Sequence, residues 1–366
     1  MREYLLIFVV AAAVTFLTTP LVRQIAVITC AFTPLRARDV HDTPIPRLGG
    51  VAIFLGFAAA ALVARELPFL KQVYLSGQIS GVLFGAAIIC FVGAIDDIHE
   101  LDWLTKLAGQ VLAAGGMADK GVQLLAIPFF GTSTVLPTYA LVLVTVLVVL
   151  VTVNAVNWID GLDGLAAGTV AIAAAAFFTY SYLVARSYNP PNVFTNATFL
   201  TAAVLGVCVG FLPHNFHPAR LFMGDSGAML LGLLLAAATI SITGNVDPGD
   251  FSGGDISAAL LPIAVPLAVL SLPFIDMVLA VVRRTLAGQK PWQADKKHLH
   301  HRMMEIGHGH RNAVLVLYLW AAVLSMGTVS FAFIEPWRAA LVIVVGSLVA
   351  FVITVWVPRW SLVRRL

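Results

Sequence analysis

Apolar residues run along this chain in long blocks separated by short polar breaks. A membrane-crossing helix needs about 20 predominantly apolar residues. Blocks of that kind lie near 4–28, 48–65, 79–95, 101–118, 137–156, 161–185, 197–213, 226–243, 256–282, 311–334 and 337–357, which predicts about eleven transmembrane helices. The fourth block is the weakest, because Gly109, Gly115 and Gly116 interrupt it and it is short. There is no internal repeat. The longest polar stretch runs from Arg283 to Arg311, so residues 1–366 read as one all-α polytopic membrane domain with a cytoplasmic loop at 283–311. The first block has no cleavage-site pattern behind it and is long enough to span, so it reads as a retained helix rather than a signal peptide.

Charge orients these blocks. Cytoplasmic loops carry an excess of Lys and Arg. If the loop holding Arg36, Arg38 and Arg47 is cytoplasmic, alternation places only Arg2, Arg65, Lys71, Lys120, Arg186 and Arg338 of the 22 Lys and Arg outside. The N-terminus is then outside and the C-terminus cytoplasmic. The nine histidines played no part in that assignment, and all of them (41, 99, 214, 217, 298, 300, 301, 308 and 310) fall on the cytoplasmic side. The site is expected at that face, in a multi-pass protein of the inner (plasma) membrane.

Composition agrees: 60% of residues are hydrophobic and 11% are charged, against roughly 25% charged in soluble domains. Mean hydropathy is +0.92. A net charge of +3, with no basic run interleaved with aromatics, gives no reason to expect nucleic acid. Cys30, Cys90 and Cys208 are far apart and show no metal or redox spacing.

Five polar clusters fall at the shared face. Asp96 and Asp97 follow the apolar run 81–95 directly, with Lys106 nine residues on. Such acids are costly at a membrane boundary unless they are paired, hydrated or bound to a cation. The second cluster is Asn154-Ala-Val-Asn157-Trp-Ile-Asp160-Gly161-Leu-Asp163-Gly164. Polar groups three residues apart drift by about 60° per step on a regular helix. Four of them therefore need a break, which Gly161 and Gly164 supply, to fold the acids back beside Asn157; capping explains one of them at most.

The third cluster is His214-Asn-Phe-His217-Pro-Ala-Arg220-Leu-Phe-Met-Gly224-Asp225-Ser226-Gly227. Gly-Asp-Ser-Gly also surrounds a serine-protease nucleophile, but in a helical membrane chain Asp225 is better read as a helix-entrance acid and candidate cation ligand. The fourth cluster is Asp295-Lys-Lys-His298-Leu-His300-His301-Arg302. His298, His301 and Arg302 can share one helical side. An anion-binding role suits the surrounding cations better than zinc, since no Cys or second ligand pair accompanies the histidines. Arg283 and Arg284 read as a juxtamembrane basic segment. The fifth is the Pro-stiffened loop Val40-His41-Asp42-Thr-Pro-Ile-Pro46-Arg47-Leu-Gly49-Gly50. Together these clusters offer carboxylates and amides for a divalent cation and Lys, Arg and His for phosphate oxygens. Oxygen ligands at an open site suit Mg2+, with Mn2+ as a substitute. No P-loop or dinucleotide fingerprint is present.

In this order the motifs resemble the polyprenyl-phosphate N-acetylhexosamine-1-phosphate transferases of glycosyltransferase 4 type, over about Val40 to His301. His298-Leu-His300-His301 resembles the His-x-His-His of the WecA and TagO branch. The MraY branch, which takes UDP-MurNAc-pentapeptide, has three histidines in a row. The resemblance implies UDP-GlcNAc and a polyprenyl phosphate (undecaprenyl or decaprenyl phosphate) as substrates. The products would be UMP and polyprenyl-diphospho-GlcNAc, a first lipid-linked step of a cell-envelope polysaccharide. It implies Asn157 and Asp225 as magnesium ligands, Lys106 as a diphosphate contact and Asp163 as a donor contact. Asp96, Asp97, Lys106 and Asp160 are expected to be catalytic, with Asp97 orienting or deprotonating the acceptor. Arg47, Asn154, Asp163, His298, His300, His301 and Arg302 are expected to bind substrate. Homodimerisation and an aspartyl-phosphate route stay open. Thr33 and Asp39 depart from the family pattern. The same chemistry on another UDP-HexNAc is the main alternative. A cation-coupled transporter is the rival from another class, and would be expected to show repeats and ionisable groups at the bilayer midplane.

Overall fold

The computed structural model describes residues 1–32, 44–124, 127–129, 132–134, 137–187, 195–244, 256–286, 288 and 299–363. All eleven apolar blocks are helical. In chain order the elements are α1 (Arg2–Ile28), α2 (Gly49–Glu66), α3 (Leu70–Leu75), α4 (Gln78–His99), α5 (Trp103–Asp119), β1 (Ile127–Phe129), β2 (Thr132–Thr134), α6 (Thr138–Ile159) and α7 (Leu165–Ser187). They continue with α8 (Asn196–Asn215), α9 (Gly224–Gly244), α10 (Ile256–Val269), α11 (Ser271–Leu286), α12 (Leu299–Glu305), α13 (His310–Ser330) and α14 (Pro336–Val363).

Among the described residues, nine helices are long and apolar enough to cross a membrane, and the chain is an integral membrane protein. The weak fourth block forms α5, 17 residues long. The block at 256–282 divides into α10 and α11 around Leu270. Pro273 stands in the first turn of α11, where its missing N–H is no loss. Main-chain bonds from Leu270 N to Pro266 O and from Phe274 N to Leu270 O, each 3.0 Å, carry the path across the division. The one exception to helix among the described elements is the two-stranded antiparallel pair β1–β2, with Pro128 opposite Ser133.

Helix α9 is the axis of the bundle. It is apolar on every side and almost wholly enclosed, as expected of a helix with no polar face. Helices α2, α4, α6, α7 and α8 surround it. On the far side of α8, Gly206 and Gly210 press against α1: a Cβ on either would fall within 2.5 Å of Phe8 O or 2.2 Å of Ala12 O. This is the small-residue spacing that lets membrane helices approach closely. Helix α14 at the rim is the least enclosed span. The C-terminal ends of α4, α6 and α8 and the N-terminal ends of α5, α7, α9 and α13 meet at one end of the bundle, and there the polar motifs collect.

Candidate active site

The N-terminus of α9 is the centre of the site. The strand-like segment before it lies against the entrance of α2: Phe222 N donates to Pro46 O at 2.9 Å, and Gly49 N and Gly50 N donate to Phe222 O and Met223 O at 3.1 and 3.0 Å. Gly224 then turns with φ +71°, a left-handed conformation that glycine adopts without strain. Asp225 and Ser226 open the helix beneath the end of α4. Asp97, buried in the last turns of α4, accepts from Asp225 N at 2.9 Å, Ser226 N at 3.1 Å and Ser226 Oγ at 2.7 Å.

Beside this joint lies a cluster of opposite charges. Lys106 Nζ is 2.7 Å from Asp96 Oδ2 and 2.8 Å from Asp225 Oδ2. Asp96 Oδ1 also accepts from Leu101 N at 2.7 Å, so the turn between α4 and α5 is folded around that carboxylate. Asp102 caps α5, accepting from Leu104 N and Thr105 N at 2.8 and 2.9 Å, and so aims Lys106 from the first turn toward the acids. The Asn157 side chain lies beside the Asp225 carboxylate. One turn earlier, Asn154 Nδ2 donates to Gln110 Oε1 and Leu150 O, both at 2.8 Å, which commits that amide group to the protein. Asp160 terminates α6. Burial, then the carboxylates of Asp225, Asp97 and Asp163, push its carboxyl up to about 7, since each disfavours a further negative charge.

Asp163 sits in the turn between α6 and α7, where Gly164 has φ +77°. The expected break after Asn157 is therefore present. Asp163 Oδ2 is 2.8 Å from His217 Nδ1 and accepts from Ala219 N at 3.1 Å, while Asp163 N donates to His310 Nε2 at 3.1 Å. The imidazoles of His217 and His310 stack at 4.2 Å with an 18° interplanar angle. Asn215 accepts from Gly164 N and donates to Leu221 O, each at 3.1 Å. Tyr318 Oη donates to Gly164 O. Ligand-type atoms of Asp163, His217 and His310 lie within 4.8 Å of one another. A cation between two rings stacked in this way would sit far out of each ring plane, where an imidazole nitrogen has no lone pair. The arrangement suits a hydrogen-bonded clamp on Asp163 better than a metal cage.

Arg47 is drawn over the site by its bridge to Phe222 and pairs with Glu100 at 3.6 Å. The helix of the histidine motif, α12, begins with Leu299 N donating to the buried Asp276 Oδ1 at 2.8 Å, and its Leu299, Met303 and Met304 pack on the core. His301 is half-buried and Arg302 exposed. Buried Arg284 lies over the ring of Trp158 at 4.9 Å, tying α11 to α6 next to Asn157. His300 lies on the α12 backbone, and His298, His41 and Asp42 lie outside the described residues.

The structure thus brings Asp96, Asp97, Lys106, Asn157, Asp160, Asp163 and Asp225 to one end of the bundle. Glu100, Gln110, Asp276 and His310 carry contacts that their positions in the sequence do not single out, and Asn215 and Ser226, within the third cluster, carry contacts that the cluster's pattern does not reveal. His310 was legible only as one histidine of a one-sided set.

The profile of Glycosyl transferase family 4 matches residues 79–243, which hold every one of these carboxylates except Asp276. The chain is 42% identical over 359 residues to decaprenyl-phosphate N-acetylglucosaminephosphotransferase of Mycolicibacterium smegmatis, covering 97% of this chain and 88% of that protein. The protein of the same name from Mycobacterium tuberculosis H37Rv is 41% identical over 370 residues, covering 100% and 90%. The probable undecaprenyl-phosphate N-acetylglucosaminyl 1-phosphate transferase of Bacillus subtilis is 31% identical over 338 residues, covering 92% and 87%. With likeness of that extent and the motifs gathered at one site, the chain belongs to glycosyl transferase family 4.

Proposed function

We propose that this protein transfers N-acetylglucosamine-1-phosphate from UDP-GlcNAc to a polyprenyl phosphate at the inner (plasma) membrane, releasing UMP and leaving polyprenyl-diphospho-GlcNAc. The relatives' names support the N-acetylglucosamine-1-phosphate group and the polyprenyl phosphate class. The observation that carries the reading is the Asp96–Lys106–Asp225 cluster at the end of a membrane bundle. A diphosphate donor brings several negative charges to the site, and its transfer is governed mainly by positioning and charge neutralisation.

The donor set fits Mg2+. Asp225 keeps a side chain 28% exposed, Asn157 lies beside it, and hard oxygen ligands at an open position suit that ion. The positive charge between the two carboxylates in this structure is Lys106. Asp225 and Asn157 would hold the metal, which when bound would neutralise phosphate oxygens and favour departure of UMP.

The other roles belong to the chain. Lys106, within reach of both acids, is placed to swing its ammonium onto the donor diphosphate. Asp163, buried and hydrogen-bonded to Ala219 N and His217, would hold the His217–His310 pair in place toward the donor. Arg47, His301 and Arg302 supply cationic or hydrogen-bonding groups at the rim for phosphate oxygens. An oxygen of the lipid phosphate forms a bond to the β-phosphorus as the bond to the bridging oxygen breaks, and that oxygen departs with UMP. The acceptor's second pKa is near ~6, so it is largely dianionic at neutral pH and needs no strong base. The test is UMP release by purified protein with polyprenyl phosphate and a panel of UDP-sugars. UDP-GlcNAc should be preferred, and EDTA should stop turnover until Mg2+ or Mn2+ is returned. Preference for UDP-MurNAc-pentapeptide would overturn the donor assignment, and full activity in EDTA the metal assignment.

A further inference from the structure

Asp97 is the acid that the reaction would most readily recruit as a proton acceptor, yet its surroundings give it other work. Its residue is 1% exposed, and three donors converge on its two oxygens: Asp225 N, Ser226 N and Ser226 Oγ. The first N–H groups of any helix lack partners within it, and the positive end of the helix favours an anion there. Helix α9 begins at Gly224, so its N-cap position, Met223, brings no carboxylate or hydroxyl. The cap comes from α4, 128 residues away in sequence.

Packing keeps the cap in place. A Cβ on Gly224 would lie 2.3 Å from Asp97 Oδ2, one on Gly93 2.4 Å from Ser226 Cα, and one on Gly50 2.2 Å from Gly227 N. Helices α2 and α4 therefore press backbone to backbone on the first turn of α9, and the Asp97 carboxylate is enclosed between them. Asp225 differs: its backbone N–H is held by Asp97 while its side chain reaches the opening, Lys106 and Asn157.

We infer that Asp97 is a positioning residue that sets the first turn of α9, and through it the Asp225 carboxylate, and that it does not exchange a proton with the acceptor. This rests on the reading of Asp225 as a metal ligand, so the test separates the two. Asp97→Asn keeps one acceptor oxygen but turns an NH2 group toward main-chain donors. Ser226→Ala removes one of the three donors and leaves both main-chain bonds.

In lipid nanodiscs, Mn2+ binding followed by electron paramagnetic resonance should weaken about tenfold or more in Asp97→Asn and less in Ser226→Ala, a range set by the usual effect of groups that orient metal ligands. Amide exchange in the peptide 222–229 should speed up in the same order. Turnover of Asp97→Asn should recover in part at high Mg2+, with a pH–rate profile of wild-type shape. Unchanged Mn2+ affinity and exchange, with turnover lost at every Mg2+ concentration and a flattened pH profile, would overturn the inference. If wild-type protein binds no Mn2+, the metal reading fails; amide exchange and the pH profile then decide on Asp97 alone. If Asp97→Asn does not fold, Ser226→Ala decides, and unchanged exchange in 222–229 counts against the cap.

Discussion

Lys106 Nζ lies 2.8 Å from Asp225 Oδ2, although the two residues are 119 positions apart and open different helices. Each depends on a local device: Lys106 on the Asp102 cap of α5, Asp225 on the grip of Asp97 at the start of α9. On the proposed function, an ammonium and a carboxylate held this close would serve one ligand, the donor diphosphate. Removing either charge should leave the other misplaced for that task.

Asp225→Asn is near-isosteric and retains the main-chain bond to Asp97, so the fold should persist. Turnover should fall at least about 100-fold, as expected when a charged metal ligand is lost. Thermal unfolding and UMP release on the same preparation check this. A variant with wild-type turnover would remove Asp225 from the site.

His217 and Asp163 should act as one unit, because the imidazole and the carboxylate are 2.8 Å apart. His217→Ala and Asp163→Asn should each raise the KM for the donor more than they lower kcat. Their double variant should be non-additive, with a coupling of about 0.5–3 kcal/mol. Additive effects would mean that His217 does not hold Asp163.

Much of this arrangement was readable in the chain, and the unreadable part has a common cause. Apolar block length marked each of the nine described helices long enough to span, because hydrocarbon thickness imposes it, whereas the blocks at 101–118 and 256–282 formed a 17-residue helix and two shorter ones. The break after Asn157 followed from Gly161 and Gly164, and the Met-Gly-Asp entrance marked α9. What periodicity carries no information about is pairing between helices. Nothing near Asp97 announces Ser226, and nothing near Asn154, expected to bind substrate, announces the hydrogen bond from its Nδ2 to Gln110. The division of α10 from α11 lies within a continuous apolar run, where Pro266 and Pro273 are its sequence signal. The short β1–β2 pair is below the length at which alternation is distinguishable. The histidine motif was legible as chemistry, and His298 lies outside the described residues.

Asp160 predicts a pH dependence in metal-free protein. Its carboxyl is raised from the ordinary carboxylate range to about 7, so the folded state binds the proton more tightly than the unfolded chain. The ionised group is then a stability penalty that is absent below about pH 4, grows as pH rises, and is complete above about pH 7. Asp160→Asn should therefore raise the unfolding temperature in EDTA at pH 8 and change it little at pH 4. An equal shift at both values would contradict the burial and like-charge account of this residue.

Orientation can be read with single cysteines in a background lacking Cys30, Cys90 and Cys208. Labels at Arg186 and Trp337 should react with an impermeant reagent from outside intact cells, and labels at His99 and Arg302 should not. Reaction at His99 or Arg302 from outside would put the acid cluster on the wrong side of the membrane for a nucleotide-sugar donor made in the cytoplasm.

The central claim is that this end of the bundle makes a diphosphate-linked lipid. Its most direct test is mass spectrometry of the lipid formed by purified protein from UDP-GlcNAc and decaprenyl phosphate, with UMP measured in the same reaction. The account predicts one polyprenyl-diphospho-GlcNAc for each UMP released, and none from Asp225→Asn. A lipid product lacking the sugar's phosphate, or UMP released without any new lipid, would contradict it.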